Sequence, residues 1–357
     1  MMLSPERLDR LRSIGFNPLV ARRIAALPEL EHRAPGRVCE YHGDHALVHD
    51  GEASEFARVH PALARQLSDS GARLVVGDWV IARLRFGDRW IERRLEPYSE
   101  LRRIDPSGAR QPLVSNVDCA FLVMGLDGDF NLRRLERYLA LARSSGVLPV
   151  AVLTKADLCM ELDARLDEVR NRIPSFIDRH ALDARCPGDV SALTAYLQPG
   201  QTVVLLGSSG AGKSTLTNTL LGAEQQPTAA VREDDSRGRH TTTTRTLLQL
   251  PGSACLIDTP GLRGLRLDID PAALQELFED IAQFARRCRF RDCAHESEPG
   301  CAVREGVPAD RLSNYHKLRR EVARENADAL ARKAEKGHAK AMERAIRGHY
   351  RLKPGKR

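Results

Sequence analysis

Gly207-Ser208-Ser209-Gly210-Ala211-Gly212-Lys213-Ser214 has the spacing G-x-x-x-x-G-K-[ST]. Glycines at these positions let backbone N–H groups wrap phosphates, the lysine brings a positive charge to the outer phosphates, and the serine hydroxyl can ligate Mg²⁺. An apolar run, Thr202 to Leu206, precedes the loop, and a helical run from Thr215 to Leu221 follows it. That is the strand-loop-helix setting the chemistry needs. A second apolar run, Ala254 to Ile257, ends at Asp258-Thr259-Pro260-Gly261. A carboxylate there can hold the water shell of Mg²⁺, and Gly261 lets a backbone N–H approach a terminal phosphate. Between the two lies Arg239-His240-Thr241-Thr242-Thr243-Thr244, where one hydroxyl can complete the Mg²⁺ shell and order a switch loop.

A third strand, Val150 to Leu153, ends at Thr154-Lys155-Ala156-Asp157. The Asp157 carboxylate only accepts hydrogen bonds, so it suits the N1–H and exocyclic N–H of guanine and rejects adenine, whose N1 is an acceptor. Lys155 can lay its alkyl stem against the base. This base-reading segment precedes the phosphate loop, whereas in ordinary GTPases it follows. The order predicts a circularly permuted sheet joined at the Pro199-Gly200 turn.

The surrounding elements fit this chemistry. From Cys119-Ala120-Phe121-Leu122-Val123-Met124 onward, buried strands alternate with helices such as 131–144, which predicts a parallel sheet covered on both faces. Before it, Gly36 to Tyr41, Ala46 to His49, Trp79 to Leu84 and Trp90 to Leu95 alternate with period two between Gly and Asp turns. They read as an all-β unit of the size of a five-stranded OB-type barrel. Residues 3–27 read as amphipathic helix through Leu8, Leu11 and Ile14.

Cys288-x4-Cys293-x-His295-x5-Cys301 completes the inventory. Three thiolates and an imidazole close a tetrahedral shell around Zn²⁺, which makes the site structural, and Arg286, Arg287, Arg289 and Arg291 around it can meet phosphates. The other five cysteines are scattered singly, which suits a reducing compartment.

The permuted motif order, the β-rich segment before it and the cysteine cluster after it resemble the ribosome small-subunit-dependent GTPases, circularly permuted factors of 30S subunit maturation. The resemblance spans residues 34–320 and includes Val76-Gly77-Asp78-Trp79-Val80, Asn116-Val117-Asp118 and Asn314-Tyr315-His316. It implies a multidomain chain: an N-terminal helical extension over 1–33, an OB-fold β-barrel that binds RNA over 34–104, a circularly permuted α/β P-loop GTPase over 105–268, and a helical zinc-binding domain with a basic tail over 269–357. It further implies 16S rRNA binding and GTP hydrolysis to GDP and phosphate stimulated by the 30S subunit. Two positions depart from the pattern. Thr154 stands where such proteins usually have Asn, and Asp183-Ala184 where they have Ser-Ala; both bear on nucleotide affinity more than on base identity.

The expected nucleotide contacts are therefore Thr154, Lys155, Asp157, Gly207, Ser208, Ser209, Gly210, Ala211, Gly212, Lys213, Ser214, Thr215, Asp258 and Gly261. Ser214 and Thr242 are the expected Mg²⁺ ligands, and Cys288, Cys293, His295 and Cys301 the zinc ligands. Leu262 occupies the place of the water-orienting glutamine of Ras-like enzymes and has no polar atom for that task. His240 is the nearest titratable alternative and the resemblance points to it, so Lys213, His240 and Thr242 are the expected catalytic residues.

Composition limits the alternatives. The chain has 357 residues and a net charge of +7, yet residues 311–357 carry 15 basic and 5 acidic side chains, net +10. A basic tail on a slightly acidic body suits a polyanionic partner. The longest apolar runs fall far short of the roughly 20 residues a membrane helix needs, and the charged start does not suit a signal peptide. A cytoplasmic monomer is expected. Two other readings are an RNA-binding assembly protein in which nucleotide is structural and a P-loop ATPase; Asp157 argues against the latter.

Overall fold

The computed structural model describes residues 5–27, 33–85, 87–105, 107–222, 245–259 and 266–327. They form two compact units, one of residues 1–103 and 110–279, the other of 104–109 and 280–357.

In the first unit, strands β1 (Arg33–Tyr41), β2 (His45–His49), β3 (Ser54–Val59), β4 (Trp79–Arg85) and β5 (Asp88–Arg94) close a barrel in the order β1-β2-β3-β5-β4. Closure removes the free edges that a short sheet would expose. Its core is Val38, Ala46, Val48, Ala57, Val80 and Ile91, capped by Leu63 and Leu67 of the helix Pro61–Ser70. That helix starts where His60 accepts from the Ala62 N–H and Pro61 sets the first turn, and it stops at Gly71 in the left-handed region.

The expected N-terminal helix is two helices, Pro5–Arg12 and Pro18–Ala25. The break has a local cause. Gly15 takes φ +90°, and Asn17 then caps a new helix by accepting from the Val20 N–H at 3.0 Å ahead of Pro18.

Strands β6 (Glu100–Ile104) and β7 (Arg110–Ser115) lead into β8 (Cys119–Gly125), β9 (Leu148–Thr154), β10 (Asp178–Ala181), β11 (Thr202–Gly207), β12 (Thr246–Gln249) and β13 (Cys255–Asp258). A short β14 (Arg266–Leu267) joins β6 and β7 in a three-stranded sheet. The main sheet runs β10-β9-β8-β11-β13-β12, parallel throughout except for β12, which is antiparallel to β13. Every residue of β8 and β11 is buried, which explains their continuous apolar runs. Because β9, β11 and β13 are parallel, their carboxyl ends lie on one edge, and Thr154, Gly207 and Asp258 come together despite their permuted order.

Arg37 ties the barrel to this sheet. Fully buried, it donates through Nη1 to Ile14 O (2.6 Å) and Thr202 Oγ1 (2.8 Å), through Nη2 to Asn116 O (2.8 Å) and through Nε to Gly77 O (3.3 Å). Four acceptors from four segments replace the water that its guanidinium loses on burial.

In the second unit, the helices Ala302–Gly306 and 309–327 follow the cysteine cluster. Arg311, almost fully buried, forks onto both carboxylate oxygens of Asp280 at 2.7 and 2.8 Å.

Candidate nucleotide site and candidate metal centre

The loop after β11 has the backbone that phosphate binding requires. A Cβ at Gly207 would lie 2.5 Å from the carbonyl oxygen of Val123, so only glycine lets β11 and β8 approach this closely. Gly210 and Gly212 take φ +80° and +91°, a conformation that turns successive N–H groups inward. The helix Lys213–Leu221 starts directly behind them, adding its positive end.

Ser208 is held from the side. Its hydroxyl donates to the Asp129 carboxylate at 2.6 and 2.7 Å, and Asp129 is itself paired with Arg134 at 2.6 Å. Lys213 Nζ donates to the carbonyls of Ser208 (2.7 Å) and Gly207 (3.1 Å). Burial lowers the pKa of Lys213, with Asp258 and Asp129 acting in the opposite direction. Ser209 and Gly210 are exposed, Ala211 is buried, and Ser214 and Thr215 are half-buried on the first helical turn.

Asp258 closes the phosphate side. It is buried, its Oδ2 has no hydrogen-bond partner among the described residues, and burial raises its carboxyl pKa against the opposing charge of Lys213. An orphaned buried carboxylate oxygen beside a lysine fits a hydrated cation. Thr259 anchors the chain that follows by donating to Leu205 O at 2.6 Å.

The segment expected to read the base lies at the end of β9. The buried Thr154 hydroxyl donates to Ala211 O at 2.7 Å, a direct tether between this segment and the phosphate loop. Lys155 takes φ +59° and pairs through Nζ with Asp127 Oδ2 at 2.6 Å. Asp157 Oδ2 accepts from Arg185 Nη2 at 2.7 Å, and Asp183 accepts from the backbone N–H, Nε and Nη2 of the same arginine. Thr219 of the phosphate-loop helix donates to Ala184 O at 2.6 Å, so the second base loop is also tied to that helix.

Asp127, Asp129, Arg134 and Arg185 are contributors that the motifs do not reveal. A pointer exists only in the cluster Asp127-Gly128-Asp129 directly after a buried strand. His240, Thr242 and Gly261 lie outside the described residues.

In the second unit the ligand atoms of Cys288, Cys293, His295 and Cys301 all lie within 4.8 Å of one another. Cys288 Sγ is 3.9 Å from Cys301 Sγ, and His295 Nδ1 is 3.6 and 3.5 Å from these two sulfurs. A tetrahedron with Zn–S bonds of about 2.3 Å has S–S edges of about 3.8 Å. The donor set and its spacing therefore fit zinc. His295 takes φ +63°, and its carbonyl lies 3.4 Å from His316 Nε2.

Comparison with known proteins agrees with this architecture. Residues 94–268 match the family model described as RsgA GTPase. A protein of Xylella fastidiosa named small ribosomal subunit biogenesis GTPase RsgA is 47% identical over 298 residues, which cover 81% of this chain and 88% of the relative. One of the same name from Xanthomonas oryzae is 45% identical over 334 residues, 90% of each chain. Among solved structures, YjeQ from Thermotoga maritima superposes with a TM-score of 0.57 at 27% identity, covering 82% of this chain and 99% of that one. YloQ, described as a circularly permuted GTPase, gives 0.54 at 23% identity over 83% and 97% and bears on the fold alone. The expected barrel, permuted α/β domain and Cys₃His segment all stand in this chain.

Proposed function

The chain belongs to the RsgA GTPase family, and from that premise we propose that it hydrolyses GTP to GDP and phosphate during biogenesis of the small ribosomal subunit, with hydrolysis stimulated by the 30S particle. The observation that carries this reading is the single sheet edge that presents Asp157, Lys213 and Asp258 together: a base reader just after β9, a phosphate cation at the helix start after β11 and a metal-side carboxylate ending β13, three parallel strands.

Each residue has a role in this reading. Asp157 selects guanine, and Thr154 and Thr219 hold the base loops against the phosphate loop. The N–H groups from Ser208 to Thr215 and the Lys213 ammonium bind the phosphates. Ser214, Thr242 and Asp258 hold Mg²⁺, which neutralises phosphate charge when bound. His240 orients the attacking water. Cys288, Cys293, His295 and Cys301 hold a structural zinc. The barrel and the basic segment after residue 311 contact 16S rRNA, and the protein works as a cytoplasmic monomer. Among the described residues, no helix is long and apolar enough to cross a membrane.

The test is the rate of GTP hydrolysis with and without purified 30S subunits, with ATP as the comparison nucleotide. Stimulation by 30S and preference for GTP are expected. Equal rates with and without 30S would remove the stimulation from this reading, and no turnover in either would leave a nucleotide-binding protein.

A further inference from the structure

Three arginines from separate segments gather beside the strand that follows the Thr241–Thr244 run. Arg73 lies between the barrel helix and β4, Arg103 on β6, and Arg245 immediately before β12. Arg73 donates through Nη2 to Pro112 O at 3.1 Å, and Arg103 through Nη2 to Gln111 Oε1 at 3.1 Å. These two therefore lie against successive residues of β7. All three arginines are half-buried.

Arg245 has an unusual environment. It makes no hydrogen bond or ion pair with any described residue, and its Nε and that of Arg103 are both shielded from water without a partner. Burial first, then the charges of Arg103 and Arg73, push its guanidinium down to about 10. Like charges drawn together out of water are costly unless an anion joins them. The planar, multidentate fork of arginine matches a phosphate better than it matches a point charge.

The position separates this cluster from the P-loop. Thr246 pairs with Asp258, so Arg245 stands at the nucleotide-facing end of the sheet. In the order β11-β13-β12 it is two strands from the P-loop strand, about 10 Å by strand spacing, and on the side away from Asp157.

We propose that Arg73, Arg103 and Arg245 form a second phosphate-binding site, separate from the nucleotide site, that takes a backbone phosphate of RNA in the assembling small subunit. The RNA source rests on the functional reading above; the site itself does not. Arg245 directly follows the threonine run in sequence.

The experiment measures binding to purified 30S subunits between 50 and 200 mM salt at fixed Mg²⁺, for the parent, Arg245→Met and Arg103→Met/Arg245→Met. Each lost phosphate contact lowers the slope of log K against log salt by about 0.9. The advantage of the parent over Arg245→Met should therefore shrink about 3.5-fold across that range. Methionine keeps an unbranched apolar stem in place of the arginine's and removes the repulsion, so the melting temperature should hold or rise. An unchanged salt slope overturns the proposal, as does a lower melting temperature without a slope change, which marks a packing role. A parallel arm measures melting with inorganic phosphate. Stabilisation of the parent but not of the double variant, with unchanged 30S slopes, would assign the site to free phosphate and overturn the RNA assignment. If the parent itself ignores 30S subunits, the functional reading fails and the phosphate arm alone decides whether the site exists.

Discussion

Arg185 Nη2 donates at 2.7 Å to Oδ2 of Asp157, one of the two carboxylate oxygens that a guanine edge would use. Asp183 holds the arginine there through three further bonds. With Asp157 as the proposed base reader, Arg185 and guanine would compete for one carboxylate. The arginine is exposed, and exposed ion pairs are weak, so the competition is mild. Arg185→Ala should raise GDP affinity by about two- to fivefold, mainly through faster association. Stopped-flow binding of a fluorescent GDP analogue checks this; weaker binding would instead make Arg185 a contact to the base. Asp157→Asn separates the two roles, since its amide presents a donor to the guanine donors. GTP affinity should fall at least tenfold while xanthosine nucleotide, with an acceptor oxygen at C2, binds better.

The Thr154–Ala211 bond explains how a threonine serves where an asparagine is usual. Its hydroxyl reaches the phosphate-loop carbonyl at 2.7 Å in a fully buried setting. Thr154→Val keeps the shape and strands that carbonyl, at a cost of about 1 to 3 kcal/mol. Dissociation of GDP should accelerate about tenfold with base selectivity retained. An unchanged off-rate would show that the tether carries no part of nucleotide affinity.

These two bonds mark where sequence reading stops. The strands β8 and β11 are legible because a parallel strand buried on both faces must be apolar throughout, and the P-loop and Cys₃His spacings are legible because their chemistry fixes the intervals. Strand β3 is harder to see: four of its first five residues, Ser54 to Arg58, are exposed apart from Ala57, so no alternation shows. The split of the N-terminal helix was written locally in Gly15, Asn17 and Pro18, whose turn and cap signals compete with the periodicity of Leu8, Leu11 and Ile14. Arg37, Arg185 and Arg245 are different. Nothing near them in sequence distinguishes them from the other arginines, because their roles depend on partners brought in by the fold.

The metal centre is tested by removing one ligand. Zinc content should be about one per chain in the parent. Cys293→Ser should lose the metal and lower the stability of the 280–327 segment while GDP affinity changes little, because the ligand atoms belong to the second unit and Asp157 and Lys213 to the first. Chelation should reproduce the loss. A metal-free parent with an intact, protease-resistant segment would instead show that packing around Cys301 and Val303 suffices for its fold.

Catalysis is the reading that rests on sequence alone, since His240 and Thr242 lie outside the described residues. Leu262 has no polar atom to orient water, so another group must do it. A histidine in the same run as Thr242, the threonine proposed to ligate Mg²⁺, is suited to this, and a catalytic group contributes little until it is positioned. The proposed stimulation by the subunit would then follow from positioning this one group. His240→Ala should bind GTP and 30S subunits like the parent yet lose most of the stimulated rate, at least tenfold. Thr242→Ala should lose it too, with an altered Mg²⁺ requirement that His240→Ala does not share. The Mg²⁺ titration separates the two roles: a parallel shift in both variants would mean that His240 only packs the loop. Normal stimulated turnover in His240→Ala would place the water-orienting group on the ribosomal subunit.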